Sequence, residues 1–513
     1  MYKNQSKQIS ITDFNMPMGM ELDPNNRWVL KAATIPWDEV EKKYAKLFRN
    51  NKCGNVAYPL RLALGSLIIK ATFGYSDVEL AFQIQENPYL QYFCGLPGFT
   101  KKLPFDPSTV TYFRKRLTDD VLGEINEMII AKALSTQEKS KNKDNKPDNN
   151  GNENSAPPDT PSQDTPPKNK GTLILDSTCV PQHIRFPLDL SLLDEARRKL
   201  EKMIDFFHSL AGGMKPRTYR RKARKDFLIV AKKKKKSAKE IRKAIGKQLD
   251  YIARDIRHIT EYRKKGFNLP PDDYALFFTI CKLFDQQLEM YKTRTHTVKH
   301  RIVSIRQPWV RPIVRGKARA KVEFGAKIDI SVYKGFTRLE HSTFEPYNES
   351  ENFVSEIEKF FTREKHYPKR VLVDKIYRNQ ENILYCNKHG IEILGKPLGR
   401  PSKDYVPNKR KIRKAEIDRI EVERKIGLAK GSYNMALVKA KLKNTSLTMI
   451  ALSILAMNIT KSAKLHLKSL KLPFIFIIFM LIYFIKTMKK SIKRLDYQNP
   501  FENKEVLKFG IIR

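Results

Sequence analysis

The chain has 513 residues, 41% of them hydrophobic, which is enough for roughly two to four domains with cores of their own. Its 98 Lys and Arg against 55 Asp and Glu give a net charge of +43, which attracts polyanions in a salt-dependent way. Nucleic acid is therefore the first partner to consider, although charge alone does not separate DNA from ribosomal RNA or an anionic membrane surface.

The five cysteines are widely spaced and never form a CxxC pair, so neither a disulfide framework nor a zinc site is signalled. The N-terminus lacks the continuous apolar core of a secretory signal. The longest apolar run, residues 472–485, has 14 residues, whereas a membrane span needs about 20. We expect a cytoplasmic protein with no membrane partner.

Residues 1–134 are expected to form a helical N-terminal domain that binds DNA. Ser76 opens an S-D-V-E capping box, and Asp106, followed by proline, marks a second helix start. The helix that follows carries Arg114 and Arg116, which could contact a DNA groove. An ordinary solvated helix face is the alternative.

From residue 135 to 170 the chain has no aromatic residue and no Ile, Leu, Val or Met. Such a segment cannot bury enough apolar surface to offset its chain entropy, so we expect a disordered linker before a second, larger domain at residues 171–460. In that domain the strand GTLILD is far from the next strands, VEFGAKIDISVY and FTRLEHSTF. A basic helical insertion is predicted between them, at about residues 187–305.

The insertion contains the densest positive charge in the chain. Residues 215–247 hold 16 Lys and Arg against two acidic residues, a net charge of +14. Phosphate contact is the functional interpretation, and a solvated loop is the alternative for the lysine run at 232–236. The arginines near Tyr219 suit a surface that binds the DNA backbone; they are Arg217, Arg220, Arg221 and Arg224.

Two apolar runs with the character of strands end in aspartate, GTLILD at Asp176 and KRVLVD at Asp374. Strands alternate with helices around the second run, which predicts an α/β layer with parallel pairing. Functional groups gather at the carboxyl ends of the strands in such sheets. Phosphodiester chemistry commonly uses two divalent ions about 3.5 to 4 Å apart, and Mg²⁺ prefers oxygen ligands. The two aspartates therefore predict a metal site.

A third carboxylate is expected on a later helix, within DRIEVERKIGLAK. At about 100° per residue, Arg419, Glu423 and Lys430 fall within about 40° on one helix face. That face would present one metal ligand between two phosphate-binding cations. A charged, solvent-facing helix with an ordinary salt bridge is the alternative.

This R-x3-E-x6-K pattern resembles the signature helix of bacterial insertion-sequence transposases with a DDE triad on a ribonuclease-H-like fold. The resemblance covers roughly residues 55–460. The other segments that agree are LILDSTCVPQHIRFPLDLSLLDEARRKLE, SIRQPWVRPIVRGKA, VEFGAKI, and VLVDKIYRNQEN through GKPLGRP. Related sequences often carry tyrosine three residues before the arginine. Here that position is Glu416, so the role of the tyrosine is not carried over.

The resemblance implies an α/β, ribonuclease-H-like catalytic core that is interrupted by the helical insertion and preceded by an all-α domain. Asp176, Asp374 and Glu423 would be the catalytic metal ligands, and Arg419 and Lys430 would contact DNA. Two Mg²⁺ ions are expected, with Mn²⁺ able to substitute. Residues 461–513, an apolar helix with a basic tail, have no assigned role.

The implied function is a DNA transposase that binds the ends of its element, cleaves there and joins the freed 3′ hydroxyls to target DNA. The implied partners are double-stranded DNA, at terminal inverted repeats and at the target, and a second copy of the chain in a homodimer. A DNA-binding protein without catalysis, either a decayed transposase or an architectural factor, is the main alternative. An RNA-processing nuclease on the same fold is a third.

Overall fold

The computed structural model describes residues 10–48, 56–144, 168–314, 322–394 and 408–468, together with the single residues 2 and 398. Its first part is helical, as the sequence predicts. The helices are α1 (Arg27–Thr34), α2 (Trp37–Ala45), α3 (Leu60–Phe73), α4 (Asp77–Glu86), α5 (Pro88–Phe93), α6 (Thr109–Arg116) and α7 (Asp119–Asp144).

Helix starts in this part agree with the sequence at one place and differ at another. The Ser76 hydroxyl caps α4 by accepting a hydrogen bond from the backbone N–H of Glu79 at 3.0 Å. The second predicted start, at Asp106, lies two residues before Ser108, the N-cap of α6. The Asp106 carboxylate accepts hydrogen bonds from the N–H and hydroxyl of Ser108 in the turn that leads into the helix. Helix α7 extends to Asp144, into the expected linker; residues 145–167 of that segment lie outside the described residues.

One mixed sheet organises the second part of the chain. Its strands run in the order β2-β3-β1-β5-β6, with β4 also paired to β3. The strands are β1 (Thr172–Pro181), β2 (Arg311–Val314), β3 (Val322–Tyr333), β4 (Phe336–Thr343), β5 (Arg370–Leu372) and β6 (Glu392–Ile393). Only β1, β5 and β6 are mutually parallel, whereas β3 is antiparallel to β1, β2 and β4. The expectation of parallel pairing therefore holds for β1, β5 and β6.

Four helices separate β1 from β2 along the chain. They are α8 (Asp189–Ala211), α9 (Arg220–Ala231), α10 (Ala238–Lys264) and α11 (Pro271–Thr293). They bury a hydrophobic cluster of their own, to which α10 contributes Leu249, Ile252 and Ile259 at helical spacing. Helix α10 begins with a complete capping box between Ser237 and Glu240.

The two faces of the sheet pack against different helices. Leu173 and Leu175 of β1 join a cluster with α12 (Glu349–Glu364) and α13 (Gln380–Lys388). Ile174 faces the other side, because successive strand residues point to opposite faces. There it joins a cluster with α14 (Lys409–Ser432) and α15 (Lys443–Lys468).

The N-terminal helices and the sheet share this second cluster, so they form one continuous core. Phe14 and Ile129 from the first part belong to the same cluster as Ile174. The Asn458 amide of α15 joins the parts further, donating to the Thr337 carbonyl of β4 at 2.6 Å and to the Asn126 side chain of α7 at 2.8 Å. The expected division at residue 135 is therefore not a division of the core.

Among the described helices, α15 alone is long and apolar enough to cross a membrane by length and composition. In its most apolar window, 78% of the residues are buried inside the protein, as in the core helix of a soluble protein. The apolar run at residues 472–485 lies outside the described residues.

Candidate functional site

Asp176 and Asp374 follow the same pair of residues on two neighbouring parallel strands. Ile174 of β1 is paired with Leu372 of β5, and each aspartate lies two positions further along its chain. Ile174 and Leu372 both pack in the cluster that contains α14, and side chains two apart on an extended chain share a face. Both aspartates are therefore on the sheet face that α14 covers.

The prediction that β1 ends at Asp176 is wrong. β1 continues to Pro181 because β3 pairs with it on its other side as far as Gly325. What ends beside Asp176 is the parallel partner, β5. Asp374 does follow a strand end, and its carboxylate accepts a hydrogen bond from the N–H of Lys375 at 2.7 Å to cap a short 3₁₀ turn.

Polar contacts made by two basic residues fix α14 across these strands. The Arg370 guanidinium of β5 pairs with the Asp418 carboxylate of α14 at 2.7 Å. Further along α14, the Lys430 ammonium donates to the Thr178 hydroxyl of β1 at 2.9 Å and to the Cys179 carbonyl at 2.7 Å. The helix is therefore attached to both strands that carry the aspartates.

The helix face predicted to carry Arg419, Glu423 and Lys430 borders the buried face of α14, which is centred on Val422. The Arg419 guanidinium pairs with the Glu423 carboxylate at 2.9 Å, and the Glu423 side chain is 52% exposed. The charge of Arg419 also reaches Asp176, where it favours the ionised carboxylate. The structure thus places Arg419 where its charge acts on Asp176 and Lys430 against β1, while the Glu423 carboxylate is engaged by Arg419.

Burial raises the pKa of Asp176 to about 6, and the negative charges of Glu349 and Asp374 act in the same direction. The N–H of Ser177 and the charge of Arg419 oppose this rise. Negative charge is therefore concentrated beside a partly buried carboxyl, and a bound cation would offset it.

The carboxylates Asp176, Asp374 and Glu423 are chemically suited to a hard divalent cation, but they are not already arranged as a metal site. Carboxylate oxygens are the ligands that Mg²⁺ and Mn²⁺ prefer. Among the residues that the structure describes, no three His, Cys, Asp or Glu side chains are grouped closely enough to hold a metal ion. Glu423 instead pairs with Arg419.

Comparison with known proteins gives two matches to protein-family models. Residues 18–116 match a transposase domain (DUF772), and residues 371–460 match a transposase DDE domain. These two matches support an insertion-sequence transposase. The second match includes Asp374, Arg419, Glu423 and Lys430, whereas Asp176 precedes it. A DDE domain implies a ribonuclease-H-like core, in agreement with the mixed α/β sheet.

One curated relative is 33% identical to this chain over 115 residues, the "Uncharacterized protein ORF8 in nfe locus" of Rhizobium meliloti. The match covers 22% of this chain and 55% of the relative, so the chain spans about half the length of that protein. No solved structure matches.

The predicted DNA-binding arginines near α9 differ in their surroundings. Arg217, Arg221 and Arg224 are exposed, and the last two line an open cavity of about 460 Å³ on the outer side of α9. Arg220 instead makes two hydrogen bonds to the Asp205 carboxylate of α8, at 2.7 and 3.0 Å. Arg220 therefore joins α9 to α8.

The two predicted DNA-binding arginines of α6 lie in internal contacts away from Asp176. Arg114 makes two hydrogen bonds to the Asp77 carboxylate of α4, at 2.8 and 2.9 Å. Arg116 stacks its guanidinium on the ring of Phe48, 4.1 Å from the centroid. The structure does not bring this pair to the aspartates.

Sequence reasoning missed two buried acidic residues near β1, Asp329 of β3 and Glu356 of α12. Asp329 of β3 is opposite Ser177 and accepts hydrogen bonds from the Tyr347 hydroxyl at 2.6 Å and the Asn352 amide at 2.8 Å. Burial and the nearby charge of Asp329 hold the pKa of Glu356 far above its usual range. The available signal was an aspartate in the apolar centre of VEFGAKIDISVY.

Proposed function

We propose that this protein is a transposase, a metal-dependent enzyme that cleaves DNA at the ends of its element and joins the freed strands to target DNA. The observation that carries the proposal is the register of Asp176 and Asp374 beneath α14. Matches to two transposase domains support it. The double-stranded ends of the element and the target DNA are the proposed substrates, and a homodimer is the proposed assembly on DNA.

Asp176, Asp374 and Glu423 would hold the metal, which is Mg²⁺ or Mn²⁺ in this proposal. When bound, such ions neutralise charge on the attacking and leaving oxygens of an in-line displacement at phosphorus and activate a water or a 3′ hydroxyl. Because Glu423 pairs with Arg419, its carboxylate must leave that pair to become a ligand. The guanidinium is then available to a DNA phosphate.

The other cations have distinct roles in this proposal. Lys430 holds α14 against β1, and its charge lies on the helix face where the DNA would approach. Arg217, Arg221 and Arg224 bind the DNA backbone from the helices between β1 and β2. Arg220 supports that surface through Asp205.

The domain organisation is part of the proposal. A ribonuclease-H-like catalytic domain includes the sheet and α14, and helices α8 to α11 form an insertion within it. The preceding all-α part packs on the same core and presents DNA to it.

The test is cleavage of duplex DNA that carries the terminal repeats of the element, found from the sequence that flanks the gene. Asp374→Asn removes a charge with little change of shape, so we expect no strand cleavage in Mg²⁺ and unchanged binding to the same duplex. Asp272→Asn makes the same change at an exposed position at the start of α11 and should cleave like the wild type.

Two results would refute the catalytic proposal. One is cleavage by Asp374→Asn at the wild-type rate. The other is wild-type protein that binds the repeats but never nicks them in Mg²⁺ or Mn²⁺. The second result would favour a DNA-binding protein without catalysis, a candidate supported by the engagement of Glu423 with Arg419. Preference for RNA in the same assay would favour the nuclease alternative.

A further inference from the structure

A second concentration of positive charge surrounds a cavity away from the aspartates and from α9. The cavity has a volume of about 550 Å³ and lies between α8, α11 and the segment before β2. Lys199 and Lys202 line it from α8, and Arg306 lines it from the segment before β2. Small-molecule sites commonly have volumes of about 300 to 1,000 Å³, so the space is ample for a phosphate group.

These three cations make no ion pair with any residue that the structure describes, although acidic groups are near. Glu195 and Asp273 also line the cavity, yet neither comes within 4.0 Å of the three cationic groups. The fourth cation on the wall, Arg198, is different because it pairs with Asp194 at 3.0 Å. The cavity wall therefore carries more positive charge than its own carboxylates neutralise.

The other two cations also act on Lys199. Burial lowers the pKa of the Lys199 ammonium, and the like charges of Arg306 and Lys202 lower it further, against the opposing effect of Glu195 and Asp273. Like charges around an open space that its own carboxylates do not fully neutralise are stabilised by an anion that enters that space. Three donors with fixed positive charge suit the oxygens of a phosphate.

We propose that Lys199, Lys202 and Arg306 form a phosphate-binding site in this cavity, separate from the site of Asp176 and Asp374. The ligand is a phosphate group, carried either by the DNA backbone or by a small phosphorylated molecule. The DNA form of the proposal rests on the proposed function, since it gives the transposase a further contact to its substrate.

The test compares two triple variants of the full-length protein, each with three positive charges removed. The cavity variant is Lys199→Gln, Lys202→Gln and Arg306→Gln. The control variant changes three exposed lysines that do not line the cavity: Lys46→Gln, Lys101→Gln and Lys388→Gln. A charge-preserving variant with Lys199→Arg, Lys202→Arg and Arg306→Lys guards against a fold defect, because it should bind like the wild type.

Two probes distinguish the sources of the phosphate. The first is inorganic phosphate, measured by its shift of the melting temperature relative to chloride at matched ionic strength. The second is duplex DNA in EDTA, measured as affinity between 50 and 200 mM salt. Three lost backbone contacts reduce the logarithmic salt slope by about 2.7, so the wild type should lose about 40-fold more affinity over that range than the cavity variant.

Stabilisation by inorganic phosphate that only the cavity variant loses would support a small phosphorylated ligand. A reduced salt slope in the cavity variant, beyond that of the control variant, would support the DNA backbone. Equal behaviour of the two triple variants with both probes would overturn the proposal. Because binding in EDTA requires no cleavage, that failure would leave the Asp374→Asn test of the catalytic proposal intact.

Discussion

Replacement of Lys430 by methionine separates two roles that this residue has in the site. Methionine keeps most of the apolar stem but removes the ammonium that donates to the Thr178 hydroxyl at 2.9 Å and to the Cys179 carbonyl at 2.7 Å. If these contacts hold α14 on β1, the loss must appear in the stability of the protein without DNA. If Lys430 serves only to contact DNA, stability must not change.

The magnitude follows from the two hydrogen bonds. A hydrogen bond that involves a charged group contributes about 1.5 to 3 kcal/mol, and the partial exposure of Lys430 reduces this by solvent screening. We therefore expect Lys430→Met to lower the free energy of unfolding by about 2 to 4 kcal/mol in total. Lys414→Met, at an exposed position of the same helix, should change it by less than about 0.5 kcal/mol.

The assay is equilibrium unfolding in urea without DNA or metal, followed by the fluorescence of the buried tryptophans. A free energy of unfolding for Lys430→Met equal to that of Lys414→Met would refute the structural role of the two contacts. A lower value, together with a loss of cleavage, would show that the position of α14 contributes to activity apart from any DNA contact by Lys430.

Two further predictions concern the helices between β1 and β2. Burial raises the pKa of Asp255 to about 8, and both of its carboxylate oxygens are buried without a hydrogen-bond partner in the described structure. The folded protein therefore keeps a proton that the unfolded chain releases above pH 3.8, the ordinary pKa of aspartate, and stability falls by about 1.4 kcal/mol per pH unit between these two pKa values. Asp255→Asn should gain stability over the wild type from pH 5 to 8, and a constant difference in urea midpoints would contradict this. Arg220→Met should lower stability by about 1 kcal/mol through loss of the Asp205 pair, whereas Arg221→Met should leave stability unchanged and reduce the logarithmic salt slope of DNA binding by about 0.9. Equal unfolding midpoints for the two variants would refute this assignment of roles.

The sequence predicts the residues of the candidate site better than it predicts how they meet. An apolar run before aspartate is a local pattern, so Asp176 and Asp374 can be found by reading along the chain. The register that places Ile174 opposite Leu372 depends on pairing between segments almost two hundred residues apart. The continuation of β1 past Asp176 depends on a third segment, β3, and no local pattern reveals that partner.

The sequence also does not show which cationic side chains are available to bind DNA. Arg114 and Arg220 have the same local signal as Arg221, a basic residue within a basic stretch of helix. Their carboxylate partners, Asp77 and Asp205, are brought to them by the packing of one helix on another. Local charge density predicts a basic surface correctly as a region, but it cannot distinguish a guanidinium that binds a neighbouring helix from one that faces solvent.

Arg419 shows why a cation four residues before Glu423 suits this site even without DNA. Positions four apart on a helix are neighbours, so the guanidinium can pair with Glu423 at 2.9 Å while its charge also favours the ionised form of Asp176. Arg419 therefore offsets the charge of two of the three carboxylates that the proposal assigns to the metal. A divalent cation that bound these carboxylates would take over that compensation and leave the guanidinium to a phosphate. The same side chain would then stabilise the site before the metal arrives and bind the substrate afterwards.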